Sequence, residues 1–177
     1  MTVKVGINGF GRIGRLALRA AFDWDELEFV QINDVAGDTA TLAHLLEFDS
    51  VQGRFHHEVT AEGDEIIING QRIKTTQERD IDAIDWSGCD VVIEATGVHR
   101  KTSFLNKYLE QGVKRVVVSA PVKEEGIANI VVGVNDNIFD PAVHKIVTAA
   151  SCTTNCIAPV VKVINEKLGI ENASFTT

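Results

Sequence analysis

Ser151-Cys152-Thr153-Thr154-Asn155-Cys156 is the stretch whose residue types and placement point most directly to chemistry. An apolar run, Ile146 to Ala150, leads into it, and an apolar-patterned helix closing near Gly169 leads out. Cys152 is therefore expected where a strand meets a helix N-terminus. Unpaired backbone N–H groups and the helix dipole favour negative charge there. Such a place favours the thiolate form of a cysteine, which is the nucleophile. The same N–H groups suit an oxyanion formed when a thiolate adds to a carbonyl. Ser151 and Thr153 add hydroxyls fitted to a phosphate or carboxylate oxygen. A lone cysteine more often fills a core than attacks a substrate. Cys156, one helical turn on, reads as such a buried structural cysteine, with a resolving thiol as the sharper option.

The second chemical stretch is Gly9-Phe10-Gly11-Arg12-Ile13-Gly14. It follows a buried strand pattern, Val3 to Asn8, and precedes Leu16, Ala17, Ala20, Ala21 and Phe22 at helical spacing. In a G-x-G-x-x-G turn one glycine makes the turn, one lets backbone approach a pyrophosphate, and one lets helix and strand pack closely. A second strand, Glu28 to Asn33, ends in Asp34, 20 residues after Gly14. A carboxylate in that place takes ribose hydroxyls of a dinucleotide. Its charge favours NAD, while the small Val35-Ala36-Gly37 leaves room for NADP.

These stretches need a frame of elements. Thr39 to Phe48 carries a helical apolar stripe, and Asp49 to Gly53 reads as a loop. His57 to Ala61 and Glu65 to Ile68 read as strands, and Asn69-Gly70 as a hairpin turn before Gln71 to Thr75. Adjacent His56 and His57 are expected on opposite sides of a strand, a poor arrangement for a metal, and no metal site is assigned. Asp90 to Ala95 is a buried strand ending in Thr96-Gly97. Ligands of open α/β sheets lie beyond strand carboxyl ends, which makes Thr96, Gly97 and Ser119 candidates for cofactor contact. Arg79 is a surface arginine or a cofactor contact. A helix over about Lys101 to Glu110 precedes the strand Arg115 to Ser119. Short strands are expected at Ile130 to Val132 and Lys145 to Ala149, and a further one begins at Ala173 to Thr177. Pro159 should kink the last helix. The fold class is α/β: a doubly wound parallel sheet with a small antiparallel insertion near residues 57 to 75.

Composition narrows the partners. The chain has 177 residues, a net charge of −8 and no basic block, which argues against nucleic acid. No apolar run approaches the roughly 20 residues of a membrane span. Cysteines at 89, 152 and 156 form neither a disulfide framework nor a zinc spacing. With no signal peptide pattern at Met1 to Val5, the expectation is a reduced, cytoplasmic protein.

Together the motifs closely resemble the N-terminal half of the phosphorylating glyceraldehyde-3-phosphate dehydrogenases. The matches are Lys4 to Arg15, Ile32-Asn33-Asp34, Glu78-Arg79-Asp80, Ala95-Thr96-Gly97, Ser119-Ala120-Pro121 and Ala150 to Cys156. The resemblance implies a Rossmann-type dinucleotide-binding domain over 1–150 and the start of an α+β catalytic domain over 151–177. It implies a catalytic thiol at Cys152 and a pyrophosphate turn at Gly9, Phe10, Gly11, Arg12 and Ile13, closed by Gly14. It implies a ribose ligand at Asp34, an adenine neighbour at Arg79, and a nicotinamide-side wall at Thr96, Gly97 and Ser119. Ser151 and Thr153 match hydroxyls that bind inorganic phosphate. In that family a thiolate adds to an aldehyde, hydride passes to the nicotinamide, and phosphate attacks the resulting thioester.

The implied partners are NAD, or NADP, with a phosphorylated aldehyde and inorganic phosphate, in a full-length homotetramer. A related phosphosugar aldehyde such as erythrose 4-phosphate, or arsenate in place of phosphate, fits the same motifs. So does a non-catalytic NAD-binding fragment, because none of His44, His56, His57, His99 and His144 matches the family's catalytic histidine. A cysteine hydrolase is the outside alternative and gives Gly9 to Gly14 no role. The chain departs from the family at His99, where Phe is commoner, and at Ile81, where Pro is.

Overall fold

The computed structural model describes residues 2–176. Met1 and Thr177, which bound the two expected domains and close the last expected strand, lie outside them. The elements are β1 (Val3–Asn8), α1 (Arg12–Ala21), β2 (Leu27–Asn33), α2 (Thr39–Glu47), β3 (Phe48–Asp49), β4 (Gly53–Arg54), β5 (Val59–Glu62), β6 (Glu65–Ile68) and β7 (Gln71–Thr76). There follow β8 (Val91–Glu94), α3 (Thr102–Glu110), β9 (Arg115–Val118), β10 (Ala128–Asn129), β11 (Ile146–Thr148) and α4 (Cys152–Leu168).

Nine strands form one sheet in the order β10-β11-β9-β8-β1-β2-β7-β6-β5. The strands from β10 to β7 in that order pair parallel, and β5-β6-β7 pair antiparallel, so the expected insertion is the flank of the main sheet. β3 and β4 make a separate two-stranded ribbon that brackets the stretch read as a loop. The apolar strand runs are explained by burial on both faces. One core gathers Val5, Ile7, Leu18, Phe29, Leu42, Leu46 and Ile66 beneath α1 and α2. The other gathers Trp86, Val92, Leu105, Tyr108, Val116 and Ile146 beneath α3. The chain leaves β1 toward β2 on one side and returns with β8 on the other. This reversal opens a crevice at the carboxyl ends of β1 and β8.

Close packing at that crevice dictates two glycines. Gly9 has φ +92°, and a Cβ there would stand 2.4 Å from the Thr96 nitrogen. A Cβ on Gly14 would stand 2.2 Å from the Gly9 carbonyl oxygen. The turns after β1 and β8 therefore touch through bare backbone.

Several expectations change. His56 and His57 lie in a bend between β4 and β5, and their rings are 3.9 Å apart, centroid to centroid. Both face Asp23, through His56 Nε2 at 3.1 Å and His57 Nε2 at 2.7 Å. The bend removes the strand alternation that would have parted them. The Asn69 amide oxygen accepts from the Glu58 N–H at 3.0 Å, so its NH2 faces His57 Nδ1 at 2.7 Å. That bond places the ring proton of neutral His57 on Nε2, toward Asp23, where a metal would need a lone pair. The expected strand at Ile130 to Val132 falls instead at Ala128–Asn129, where it pairs with β11. Residues 173–176 are not in a strand. No helix among the described residues is long and apolar enough to cross a membrane.

Gly14→Ala is expected to lower unfolding free energy by about 1–3 kcal/mol, because its methyl would press on backbone that holds the crevice. Gly88→Ala, whose methyl would meet nothing within 4 Å, is the control. Urea denaturation checks both, and equal midpoints for the two variants would contradict the packing account.

Candidate active site

The crevice is a cavity of about 420 Å³ lined by Asn8, Gly9, Gly11, Asn33, Asp34, Val35, Glu78, Arg79, Ala95, Thr96, Val98 and His99. Five of the residues singled out from sequence thus line one cavity: Gly9, Gly11, Asp34, Arg79 and Thr96. A Cβ on Gly11 would meet nothing within 4 Å. Gly11 caps α1 with no side-chain hydrogen bond. By contrast, Asp38 caps α2, and Ser151 caps α4. Glu124 accepts from the first N–H of α3, that of Thr102, at 2.8 Å. The first N–H groups of α1 therefore face an open mouth, an arrangement suited to a phosphate.

Asp34 is fixed from two sides. Its Oδ2 accepts from the Phe10 N–H at 2.5 Å and its Oδ1 from the Ala36 N–H at 2.7 Å. This carboxylate, at the carboxyl end of β2, thereby ties the glycine turn to the next strand. An ionised carboxylate keeps acceptor sites beyond those two, enough for ribose hydroxyls. The other predicted cofactor residues do not line the cavity. Phe10 is buried and anchors the turn. Arg12 is exposed and paired with Asp49 at 3.0 Å, and Ile13 is exposed. Gly97 adopts φ +75°, and its carbonyl accepts from Arg100 Nε at 2.9 Å. Ser119 follows β9, and its N–H donates to the Glu94 carbonyl at 2.9 Å.

Sequence reasoning passed over the polar residues that line the floor of the cavity or lie beneath it. Glu94, Asn8 and Asn33 each end a strand and are buried. Asn33 Nδ2 donates to Asn8 Oδ1 at 2.8 Å and to the Glu78 carbonyl at 2.9 Å. Asn33 Oδ1 accepts from Thr76 Oγ1 at 2.8 Å and the Glu78 N–H at 2.9 Å. Polar residues closing otherwise apolar strand runs were the available signal.

The thiol region lies along the same sheet edge. β11 is three places from β1 in the sheet, roughly 14 Å at the usual strand spacing. Cys152 is the first residue of α4 and is exposed. Ser151 Oγ accepts from the Thr154 N–H at 3.0 Å and shares a hydrogen bond with Thr154 Oγ1 at 2.7 Å. Ser151 is thus first a helix cap. The N–H groups of Cys152 and Thr153 precede the first helical bond, which runs from the Asn155 N–H to the Ser151 carbonyl. Asn155 Nδ2 donates to the carbonyls of Ala149 at 2.6 Å and Ser151 at 2.9 Å. It clamps a turn in which Ala150 adopts φ +56°, an uncommon conformation for a residue with a Cβ. Ser151 and Thr154 line a second cavity of about 300 Å³ with Pro121, Lys123 and Asn135, whereas Thr153 is exposed.

Cys156 is exposed, contrary to the buried role expected of it. The apolar side of α4 on which it lies borders a cavity with Ile170 and Phe175 and stays largely exposed: Val160 is 57% and Leu168 84% exposed. Cys89 is the buried cysteine, and burial, with Asp90 and Asp85 nearby, pushes its thiol up to about 11. His44, His56, His57 and His144 do not line either cavity, and His99 lines only the first, with its ring 5.3 Å from that of Phe104.

Residues 3–102 match the family model described as glyceraldehyde 3-phosphate dehydrogenase, NAD binding domain. Residues 151–177 match the model of the C-terminal domain of the same family. A Nostoc protein named glyceraldehyde-3-phosphate dehydrogenase 3 is 54% identical across 100% of this chain and 53% of its own length. Proteins so named from Bacillus subtilis and Geobacillus stearothermophilus are each 48% identical over the same shares. The chain spans about half the length of these curated relatives. It belongs to the glyceraldehyde-3-phosphate dehydrogenase family.

Proposed function

We propose that this chain carries the cofactor site and catalytic thiol of an NAD-dependent phosphorylating glyceraldehyde-3-phosphate dehydrogenase, with a cofactor domain over 1–150 and the start of the catalytic domain over 151–177. The observation that carries this reading is the shared sheet edge. The uncapped glycine turn, the fixed Asp34 and an exposed thiol at a helix N-terminus all lie along it.

The residues present fit NAD. The N–H groups after Gly11 take the pyrophosphate, and the absence of a side chain at Gly11 lets it approach. Asp34 takes the ribose hydroxyls, and its charge opposes a 2′-phosphate, so NAD is preferred over NADP. Arg79 and His99 border the adenine side, while Thr96, Gly97 and Ser119 lead toward the thiol. Bound NAD supplies an acceptor for hydride.

The Cys152 thiolate adds to the aldehyde carbon of glyceraldehyde 3-phosphate, giving a hemithioacetal whose oxygen the Cys152 and Thr153 N–H groups stabilise. The oxygen takes a proton from the conjugate acid of a base and returns it to that base as the C–H bond breaks, its electron pair leaving as hydride, so that Cys152 carries a thioester. An oxygen of inorganic phosphate, held by Ser151 and Thr153, attacks the thioester carbon. The C–S bond breaks, releasing 1,3-bisphosphoglycerate and restoring the thiolate. The base, a histidine in this family, belongs to the half of the relatives' length that this chain does not span.

Calorimetric titration should show NAD binding at least about tenfold tighter than NADP, a difference of roughly 1.4 kcal/mol. Neither tryptophan lines the cavity, so calorimetry is preferable to tryptophan quenching. Equal affinities would remove Asp34 as the discriminator. The isolated chain should turn over at least about 10²-fold more slowly than a full-length relative, the loss expected without a general base. A steady-state assay at near-family rates would contradict the division of labour.

Limited iodoacetamide at pH 8, read by peptide mapping, should modify Cys152 before Cys156 and Cys89 last. A thiol held near 11 ionises only as pH approaches that value, so Cys89 should gain reactivity from pH 8 to 11 while the fold persists. Equal labelling of Cys152 and Cys156 would count against an activated nucleophile.

A further inference from the structure

Glu94 is 1% exposed, at the carboxyl end of a strand whose other residues are Val91, Val92 and Ile93. A carboxylate in that position must be matched by donors, because an unpaired buried charge is strongly destabilising. Four donors meet it. Oε1 accepts from the Thr96 N–H at 2.9 Å and from Thr96 Oγ1. Oε2 accepts from Tyr108 Oη at 2.6 Å and Asn8 Nδ2 at 3.2 Å. Burial first, and then the charge of Glu94, push the Tyr108 phenol well above its ordinary range, so it remains a donor. Replacing a buried ionic group by well-packed apolar residues is often neutral or stabilising, so stability alone does not account for this carboxylate.

The donors explain its use. Thr96 lines the cavity on the β8 side and Asn8 lines its floor. The Thr96 hydroxyl, besides donating to Glu94, accepts from the Val98 N–H at 3.1 Å, so its proton and one lone pair serve the turn. The Thr96 backbone is also the surface against which bare Gly9 packs. From Asn8 the bonds continue through Asn33 to Glu78, on the opposite side of the cavity. Glu94 itself lies beneath the lining.

We propose that Glu94 is a positioning residue for the dinucleotide: its carboxylate holds Thr96 and Asn8, and through them sets the spacing between the 95–98 turn and the glycine turn. It touches no cofactor atom. The proposal rests on the reading of the cavity as the NAD site. Only a carboxylate offers acceptors to both arms; a glutamine presents an N–H to one of them. Thr96 carries the arm that reaches the lining, and its hydroxyl is the group to remove.

The test uses the full-length protein, with NAD affinity by calorimetry, thermal melting, and amide exchange at residues 96 and 98. Glu94→Gln and Thr96→Val are each expected to weaken NAD binding by about tenfold, the loss expected when one buried hydrogen bond goes unmade. Exchange should rise at 96 and 98 while the sheet core stays protected. Thr96→Ser, which keeps the hydroxyl, should restore wild-type affinity. A purely structural role would shift melting without changing affinity in the folded protein. Should Glu94→Gln not fold, the Thr96→Val and Thr96→Ser pair decides alone. Wild-type affinity in folded Glu94→Gln and Thr96→Val overturns this proposal and leaves the NAD reading intact. A wild-type protein that does not bind NAD overturns both.

Discussion

The contact between two bare stretches of backbone, Gly9 against Ala95 and Thr96, is the constraint on which the rest depends. Parallel strands bring all their carboxyl ends to one edge, and the reversal between β1 and β8 leaves a gap there. The gap serves as a dinucleotide cleft only if its two turns meet closely at the base while their outer parts stay open. A side chain at residue 9 would wedge the turns apart, and one at residue 14 would lift α1 from the turn. Gly11, a few ångströms outward, has open space where a Cβ would go. One short glycine pattern therefore closes the bottom of the cleft and opens its mouth.

Close backbone contact alone does not fix the walls, since turns without side-chain anchors relax. Here the strand ends supply the anchors. Asp34 holds the Phe10 N–H, Asn33 holds both backbone polar groups of Glu78, and Glu94 holds Thr96. Each is a polar residue at the last position of a buried strand or just past it. In such low-dielectric surroundings a hydrogen bond is strong and an unmade one is costly, so each anchor defines a single geometry. The same logic accounts for Asn155, which clamps the carbonyls on both sides of Ala150 and keeps that residue in its uncommon conformation.

The helices, the parallel sheet and the glycine turn were legible because they rest on local periodicity and on a fingerprint flanked by a strand and a helix. Thr96 followed from the rule about strand carboxyl ends and Gly9 and Asp34 from the glycine fingerprint and its spacing, whereas Arg79 rested on the family resemblance. What escaped depends on side-chain direction. A glutamate after Val91-Val92-Ile93 reads as the end of a strand, and only the fold shows that Tyr108 of α3 and Asn8 of β1 converge on it. His56 and His57 misled because strand alternation was extended into a bend. Cys156 misled because the usual burial of a lone cysteine was assumed, whereas the side of α4 on which it lies is largely exposed.

The two halves of the site accordingly differ in self-sufficiency. The cofactor cleft is bounded by elements that are all packed into the two cores, so its geometry is set within this sheet. The thiol is fixed at one end only. β11 and Asn155 hold the first turn of α4, while the apolar side around Val160 and Leu168 faces outward. Exposed apolar area on that scale favours burial by further protein, at roughly 25 cal/mol per Å² covered. Orientation of Cys152 toward the cleft thus depends on what packs along α4, whereas the cleft's affinity for a dinucleotide does not.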